Sequence, residues 1–553
     1  MTMTNIPITP SAGVVADPIQ AGLAAGWQVT DGARLEQDLT LEADVLIIGS
    51  GAGGGVTAEL LTLAGLKVLI VEEGALKSSR DFKMREADAY PALYQESGAR
   101  KTRDKGINIL QGRTVGGSTT VNWTSSFRTP PETLAYWGKH FGLQGFDAAA
   151  MAPWFEMMEQ RLHVAKWAGQ PNENNDLLRR GAAQLGIPTA IIPRNVNGCW
   201  NLGYCGMGCP TNAKQSMLVT TIPAALAGGA RLLTRVRAER LVMQGDKITQ
   251  LDAVALAAAG QAPTGRRLTL KARHFVVAGG AINSPALLMR SGVPDPHGLL
   301  GKRTFLHPTI ISAGLYPQRV DGYAGAPQSV YSDHFLKTDP IDGAIGYKLE
   351  APPLHPLLLS TTMVGFGAQH AAMMAQFPHF HVLLALLRDG FHPDSAGGSV
   401  QLASDGAPVL DYPISGFVWD GVRRSLLSMA EIQFASGAKS VTPVHEAAGS
   451  YTSWAAAKAA INGLSYQTLS TRVVSAHVMG GCGMSDDERL GVTSAGGRYH
   501  GLANLSVHDG SLFPTSIGAN PQLSIYGLTA RLASGLAHDL TGRPAPRLVR
   551  TDA

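Results

Sequence analysis

Two short, uninterrupted apolar runs joined by a glycine-rich turn and a helical stretch constrain this chain more than any other feature. Asp44-Val-Leu-Ile-Ile-Gly49 and Lys67-Val-Leu-Ile-Val-Glu72 have no polar alternation, the mark of strands buried on both faces of a parallel sheet. Between them, apolar residues Leu60, Leu61 and Leu63 follow a helical period. Strand, turn, helix, strand is a βαβ unit, which commits this part of the chain to an α/β fold. The turn, Gly49-Ser-Gly51-Ala-Gly-Gly54, fits G-x-G-x-x-G. In a chain with 64 glycines among 553 residues that pattern is weak alone. Its place between strand and helix, with the acid Glu72 ending the second strand, makes it a dinucleotide site. Gly49 permits the turn, Gly51 lets backbone approach a pyrophosphate, and Gly54 lets the helix pack close. The helix N-terminus then meets the diphosphate with free N–H groups, and Glu72 accepts from the ribose hydroxyls. The motif does not distinguish NAD from FAD.

Further segments belong with this unit. Residues 274–280 form another buried strand running into a tight turn, Leu505-Ser-Val-His-Asp509 is a strand, and a helix after Pro521 carries Ile525, Leu528, Leu532 and Leu536 on one face. The first forty residues read as an irregular arm. The stretches 130–215 and 311–460 differ in character; the second holds strand-like runs and an apolar helical region from Leu354 to Leu387. One nucleotide-binding domain built from at least three segments, with a substrate domain inserted, is the organisation expected.

The motifs further along resemble the glucose–methanol–choline (GMC) oxidoreductases, and within them the long-chain fatty alcohol oxidases. Asp17-Pro18 through Gly26-Trp27 is similar to the arm that precedes the nucleotide turn in that branch. Gly112-Arg-Thr-Val-Gly-Gly117-Ser118-Thr-Thr-Val-Asn122 resembles the first family signature, and Gly280-Ala-Ile-Asn-Ser284-Pro285 through Gly292 the second, with Pro294 where a glycine is usual. Leu306-His307-Pro308 and Glu350-Ala-Pro-Pro353 also look like that branch. His477-Val-Met-Gly-Gly-Cys482, Asp509-Gly-Ser-Leu-Phe-Pro514 and Gly518-Ala-Asn520-Pro521 complete the match. Cys482-Gly-Met484-Ser stands where Cys-Arg-Met-Gly is commoner.

The resemblance implies a Rossmann-like FAD-binding domain, a doubly wound, mostly parallel sheet, from 1–130, 216–310 and 461–553. An inserted α+β substrate domain with an antiparallel sheet then takes 131–215 and 311–460. It implies non-covalent FAD on the turn residues Gly49, Gly51, Gly54 and Glu72. Arg113, Gly116, Gly117, Ser118 and Asn122 of the first signature join them, with Val236, Gly279, Asp509, Gly510 and Pro521. The small residues of the 112–122 loop suit close approach to a flat ring, and Asn122 adds both a donor and an acceptor. That loop contains no histidine to bond a flavin covalently.

The implied reaction is FAD-dependent oxidation of an apolar alcohol by hydride transfer. The departing hydroxyl proton needs a positioned base, a role suited to histidine. By resemblance His477 is that base, and Asn520 hydrogen-bonds the developing alkoxide. Asn520-Pro521 also reads as a helix start with asparagine as cap. Taken alone, His477 reads as a histidine satisfied under a glycine turn, and it is the resemblance that makes it the base. His307 before a proline reads as structural, His500 and His508 are unplaced, and Glu350 is a second base or a buried paired acid.

Cys199, Cys205 and Cys209 lie close in a Gly-rich run. The expectation is a structural loop with no metal; an iron–sulfur cluster is the alternative, and the lack of a fourth nearby ligand weakens zinc. The apolar stretch 354–387 reads as core or as a pocket for long alcohols, and it also suits peripheral membrane contact. A formal charge of +4 with mixed signs gives no case for nucleic acid. No secretory signal or membrane-spanning run is evident, so a cytoplasmic location is the default. The electron acceptor is left open between O2 and a quinone or cytochrome. A flavin-dependent lyase of the same fold and a non-catalytic nucleotide-binding module are competing readings.

Overall fold

The computed structural model describes residues 15–549. Its first sheet has eight strands. Val29–Asp31, Arg231–Thr234, Val68–Val71, Leu39–Ile48 and Pro263–Val277 run parallel in that spatial order. The end of the fifth, Phe275 to Val277, also pairs in parallel with Leu505–Val507. Its first half turns instead into an antiparallel ribbon with Lys247–Leu256 and Val236–Gln244. Val45, Leu46, Ile47, Leu69 and Ile70 are almost wholly removed from solvent, as unalternated apolar strands must be when helices cover both faces. Ala52–Leu63 packs on Thr221–Ala227 and on Gln522–Thr541, which also packs on Ala148–Arg161. A buried ion pair, Glu59 with Arg161 at 3.0 Å, ties the first helix to the last of these.

A second eight-stranded sheet is mostly antiparallel. Thr309–Leu315 and Phe380–Leu387 pair along their whole length at its centre, flanked by Tyr347–Glu350, Val330–Ser332 and Ala190–Ile191 on one side. Val473–Ser475 and Ile107–Ile109 close the other side. The helix Gly416–Ala435 packs on both central strands. A separate four-stranded sheet joins Lys302–Phe305, Gly398–Leu402, Pro408–Asp411 and the short strand Met479–Gly480. The expected α/β architecture, one mostly parallel sheet and separate antiparallel sheets, is what the chain adopts.

Two expectations are corrected. The N-terminal arm, where described, is ordered: Asp17 caps the helix Pro18–Ala24, its Oδ1 accepting from Ile19 and Gln20 N–H, and Val29–Asp31 is an edge strand of the main sheet. Residues 1–14 lie outside the described part. The apolar region 354–387 is helical only in pieces, Pro356–Thr362 and Gly367–Met374; Phe380–Leu387 is a central strand. A short, fully buried apolar run has no periodicity to separate strand from helix, and neighbours on both edges decide here.

Candidate active site

A cavity of about 1250 Å³ opens at the carboxyl ends of the parallel strands, where α/β sheets bind ligands. On one side it is lined by the glycine-rich turn Gly49 to Gly53, on the other by Thr309, Ile311, Val382 and Leu384 of the antiparallel sheet. The volume exceeds the ~300–1,000 Å³ of ordinary small-molecule pockets.

Gly49 has φ +105°, and a Cβ there would lie 2.3 Å from the carbonyl oxygen of Ala278. Gly54 is closed by the Gly49 carbonyl, 1.9 Å from such a Cβ, and does not face the cavity. Gly51 does. It caps the helix Ala52–Leu63 with no side-chain hydrogen bond, so the first-turn N–H groups are left toward the cavity. Across from it stands Gly117 at φ +53°, where a Cβ would come 2.8 Å from Gly51 Cα. Glycine at 117 lets the two loops meet, and glycine at 51 leaves the turn bare toward the cavity. Gly116, at φ +87°, lies behind, its N–H donating to Ser50 Oγ at 3.0 Å.

Glu72 lines the cavity but is already well engaged. One carboxylate oxygen accepts from the Ser50 N–H and hydroxyl, at 3.1 and 2.6 Å, and the other from Gly74 N–H at 2.7 Å. Burial nevertheless raises its pKa above the usual carboxylate value. Arg113 pairs with Glu73 at 3.0 Å and donates to the Gly260 carbonyl. Ser118 Oγ accepts from Gly112 N–H. Asn122 reaches the wall with its amide partly spent: it donates to Gln522 at 2.6 Å and accepts from Thr124 N–H at 3.2 Å. Val236, Gly279, Gly510 and Pro521 also line the cavity. So does Asp509, whose carboxylate accepts from Gly280 N–H, Ser284 Oγ and Ser511 N–H at 2.8, 2.5 and 2.8 Å. That bond puts a negative group at the N-terminus of the helix Gly280–Ser291, where the helix dipole favours it.

His477 and Asn520 both face the cavity. His477 follows the strand Val473–Ser475 by two residues and is held by its N–H donating to Ser475 Oγ at 3.1 Å. Desolvation pushes its pKa down to about 4; Glu350 opposes the shift and Lys348 reinforces it. His307 sits beside it, the two Nδ1 atoms 3.3 Å apart. Gly518 N–H donates to His307 Nε2 at 3.0 Å. A backbone amide only donates, so the proton of neutral His307 is on Nδ1, directed at His477, and neutral His477 carries its own on Nε2. Burial holds His307 well below the usual histidine range.

Asn520 is not the helix cap that Asn-Pro suggests. The helix is Gln522–Thr541, Pro521 occupies the cap position, and no side chain caps it. The amide turns the other way: Oδ1 accepts from Lys348 Nζ at 2.9 Å and Nδ2 donates to Glu350 Oε2 at 3.3 Å. Glu350 is fully buried, forms an ion pair with Lys348 at 2.9 Å and accepts from Gln328 at 2.6 Å. The reading of Glu350 as a buried paired acid therefore describes its surroundings. His508 lies beneath the dinucleotide helix against Thr57 Oγ1 at 2.9 Å, and His500 bonds the Ser485 carbonyl.

Sequence reasoning passed over Lys348 and underrated His307. Lys348 had a signal: it precedes Glu350 by two, and alternation puts both on one face of a strand. Lys214 was also missed. Its buried ammonium, lowered to about 8 by desolvation, donates to the carbonyls of Thr120, Asn122 and Cys205 at 2.6, 2.9 and 2.7 Å. It thus clamps the cysteine loop to the glycine-rich signature loop. Cys205 Sγ accepts from Arg194 at 3.6 Å and Cys209 Sγ lies 3.4 Å from Thr211 Oγ1. Among the described residues no three His, Cys, Asp or Glu side chains are grouped to hold a metal ion, so the cluster alternative finds no support. No helix among them is long and apolar enough to cross a membrane.

Residues 90–309 and 393–529 match the GMC oxidoreductase N- and C-terminal family models. An uncharacterised GMC-type oxidoreductase of Mycobacterium tuberculosis is 30% identical over 540 residues, 95% of this chain and 82% of that protein. A long-chain-alcohol oxidase of Arabidopsis thaliana is 26% identical over 532 residues, covering 90% of this chain and 69% of its own length. The solved pyridoxine 4-oxidase from Mesorbium loti superposes with a TM-score of 0.67 at 18% identity, over 90% of this chain and 99% of that one. A formate oxidase of Aspergillus oryzae, from a structure concerned with FAD modification, superposes with a TM-score of 0.64 at 15% identity, over 91% and 99%. With its glycine cradle, its two-part wall and these matches together, the chain belongs to the GMC oxidoreductase family and is an oxidoreductase.

Proposed function

We propose that this protein uses non-covalently bound FAD to oxidise a long-chain or otherwise bulky apolar alcohol to the aldehyde or ketone. The observation that carries the reading is one cavity with a dinucleotide cradle at Gly51 and Gly117 and with His477 and Asn520 on its wall. The cradle suits FAD in detail. A side chain at Gly117 would run into the Gly51 backbone and one at Gly51 would enter the cavity, an uncapped helix N-terminus offers N–H groups to a diphosphate, and Glu72 keeps acceptor capacity at the strand end. Bound there, a flavin would supply the hydride acceptor.

The protein's own residues supply the rest. His477 is neutral at pH 7, so it is ready to accept the hydroxyl proton. Its lone pair is on Nδ1, against the His307 proton at 3.3 Å, longer than the usual ~2.9 Å. Accepting a proton requires the His477 ring to turn Nδ1 away from His307, since a proton added there in place would set N–H against N–H; the weak contact given up is a matter of about 1 kcal/mol. Asn520 donates an amide N–H to the oxygen as negative charge develops. Leu354, Leu357, Leu358 and Leu359, on and beside the short helix Pro356–Thr362, line the same cavity and favour an apolar chain over a sugar. The long-chain-alcohol oxidases of Arabidopsis thaliana support the same substrate class.

Anaerobic mixing of the yellow protein with a series of primary alcohols tests this. Bleaching that grows faster with chain length, reversed by admitting air or an electron acceptor, is expected. A protein that carries FAD yet is bleached by no alcohol, or only by small polar ones, refutes the substrate class.

A further inference from the structure

We propose that Lys348 and Glu350 set the polarity of Asn520, fixing its amide so that N–H, and not C=O, is offered to the substrate oxygen. The inference rests on the reading of Asn520 as hydrogen-bond partner of the alcohol, and adds to it why that asparagine can only donate.

An asparagine side chain is nearly symmetric in shape, and a half-turn about its last bond exchanges an acceptor for two donors. In an isolated pocket both orientations are open. Here Oδ1 meets Lys348 Nζ at 2.9 Å and Nδ2 meets Glu350 Oε2 at 3.3 Å. An ammonium has no lone pair to offer and an ionised carboxylate has no proton. A flipped Asn520 would set N–H against N–H and oxygen against oxygen, both buried. One orientation survives, and it leaves the second Nδ2–H unspent on a residue that faces the cavity.

The lock is itself locked. Lys348 and Glu350 are residues i and i+2 of the strand Tyr347–Glu350, so they share a face, and their ion pair measures 2.9 Å. Both are essentially removed from solvent. The ammonium lies 3.1 Å from the centroid of the Phe127 ring and 4.5 Å from that of Tyr331, so an amide oxygen, a carboxylate and two π faces surround it. Gln328 donates at 2.6 Å to Glu350 Oε2, the same oxygen that accepts from Asn520, while Lys348 pairs with Oε1. A buried ion pair of this kind adds little to stability compared with apolar residues, which fits a role in orientation. Because both residues act through Asn520, they are positioning residues.

The test erases the polarity while keeping the bulk. In the FAD-loaded double variant Lys348→Gln/Glu350→Gln, each new amide both donates and accepts, so Asn520 has two orientations again. Anaerobic flavin reduction by a long-chain alcohol should slow about two-fold, as half the molecules turn C=O toward the oxygen, far short of the ~10²–10³-fold expected for losing the donor in Asn520→Ala. Added to Asn520→Ala, the same double change should do nothing further. Two readouts do not depend on turnover. The affinity for the product aldehyde, an acceptor only, should fall in the double variant. The Asn520 side-chain amide, found in a 15N spectrum by its loss in Asn520→Ala, should lose its single sharp pair of resonances. If the double variant does not fold, Lys348→Glu/Glu350→Lys keeps the pair and reverses the code, and should reduce as slowly as Asn520→Ala.

The failures are separable. If Asn520→Ala is reduced at the parent rate, the asparagine does not serve the alcohol and both readings fall. If Asn520→Ala is slow but the double variant is parent-like, or the double change slows both backgrounds equally, the polarity lock alone is wrong.

Discussion

Gly51→Ala separates a glycine kept for a ligand from glycines kept for the fold. Gly51 has φ −70° and ψ −159°, at the edge of the extended region and without the positive φ that excludes alanine. A Cβ there would find its first neighbour, Gly117 Cα, at 3.8 Å, an ordinary contact. Nothing in the protein resists the methyl group. Reduced freedom of the unfolded chain should stabilise the apoprotein by about 0.4–1 kcal/mol. A diphosphate brought against the turn meets the same methyl as overpacking, worth about 1–3 kcal/mol, or roughly five- to 150-fold in FAD affinity. Gly53→Ala is the contrast, because its Cβ would lie 1.6 Å from the His508 carbonyl oxygen, and it should damage folding itself. The assay is a thermal melt of each apoprotein followed by FAD titration through flavin fluorescence. Unchanged FAD affinity in Gly51→Ala would refute the assignment of this turn as the diphosphate cradle.

His477→Ala, fully loaded with FAD, should slow anaerobic reduction by alcohol ~10²–10⁴-fold; parent-rate bleaching across the pH range would remove this histidine from the mechanism. Burial holds His381 and His508 neutral, with pKa values near 3 against ~6.5 unfolded. Their contribution is complete above pH 6.5 and is lost as pH falls toward 3, together about 5 kcal/mol by pH 4.5. The raised carboxyls of Glu72 and Asp389 shallow that slope. A urea midpoint flat from pH 7 to 5 would contradict the argument. Acid precipitation should leave the yellow colour in the supernatant, since no histidine lies in the 112–122 loop; a yellow pellet would show a covalent flavin. The purified protein should contain no stoichiometric iron or acid-labile sulfide, and finding them would return Cys199, Cys205 and Cys209 to a metal role.

What was legible in the chain was what short-range physics writes there. Unalternated apolar strands, the glycine turn and the terminal acid announced the βαβ unit, because burial and backbone approach leave local signatures. Phe380–Leu387 was misread because a strand whose neighbours come from Thr309–Leu315 and Tyr347–Glu350 has no period of its own to display. The helix-cap reading of Asn520 failed for a related reason. Asn-Pro is a strong local cap signal, but the partners that win its amide, Lys348 and Glu350, are some 170 residues away in sequence. His307 likewise gains its meaning from Gly518 and His477, neither of them near it in the chain.

The placement of His477 bears on how this pocket could be remodelled. It hangs two residues beyond Val473–Ser475, which is hydrogen-bonded to the same strand that carries the wall residues Thr309 and Ile311. Floor and histidine are mechanically one object, so carving the floor for a different substrate re-aims the group proposed here as the base. The helix Pro356–Thr362 offers the freer handle. It lines the cavity through Leu357 to Leu359 and is pinned at its start by Glu86, which accepts from Leu357 and Leu358 N–H at 2.6 and 2.8 Å. Selection for altered chain length should therefore collect its substitutions along this one helix and leave the sheet beneath it untouched.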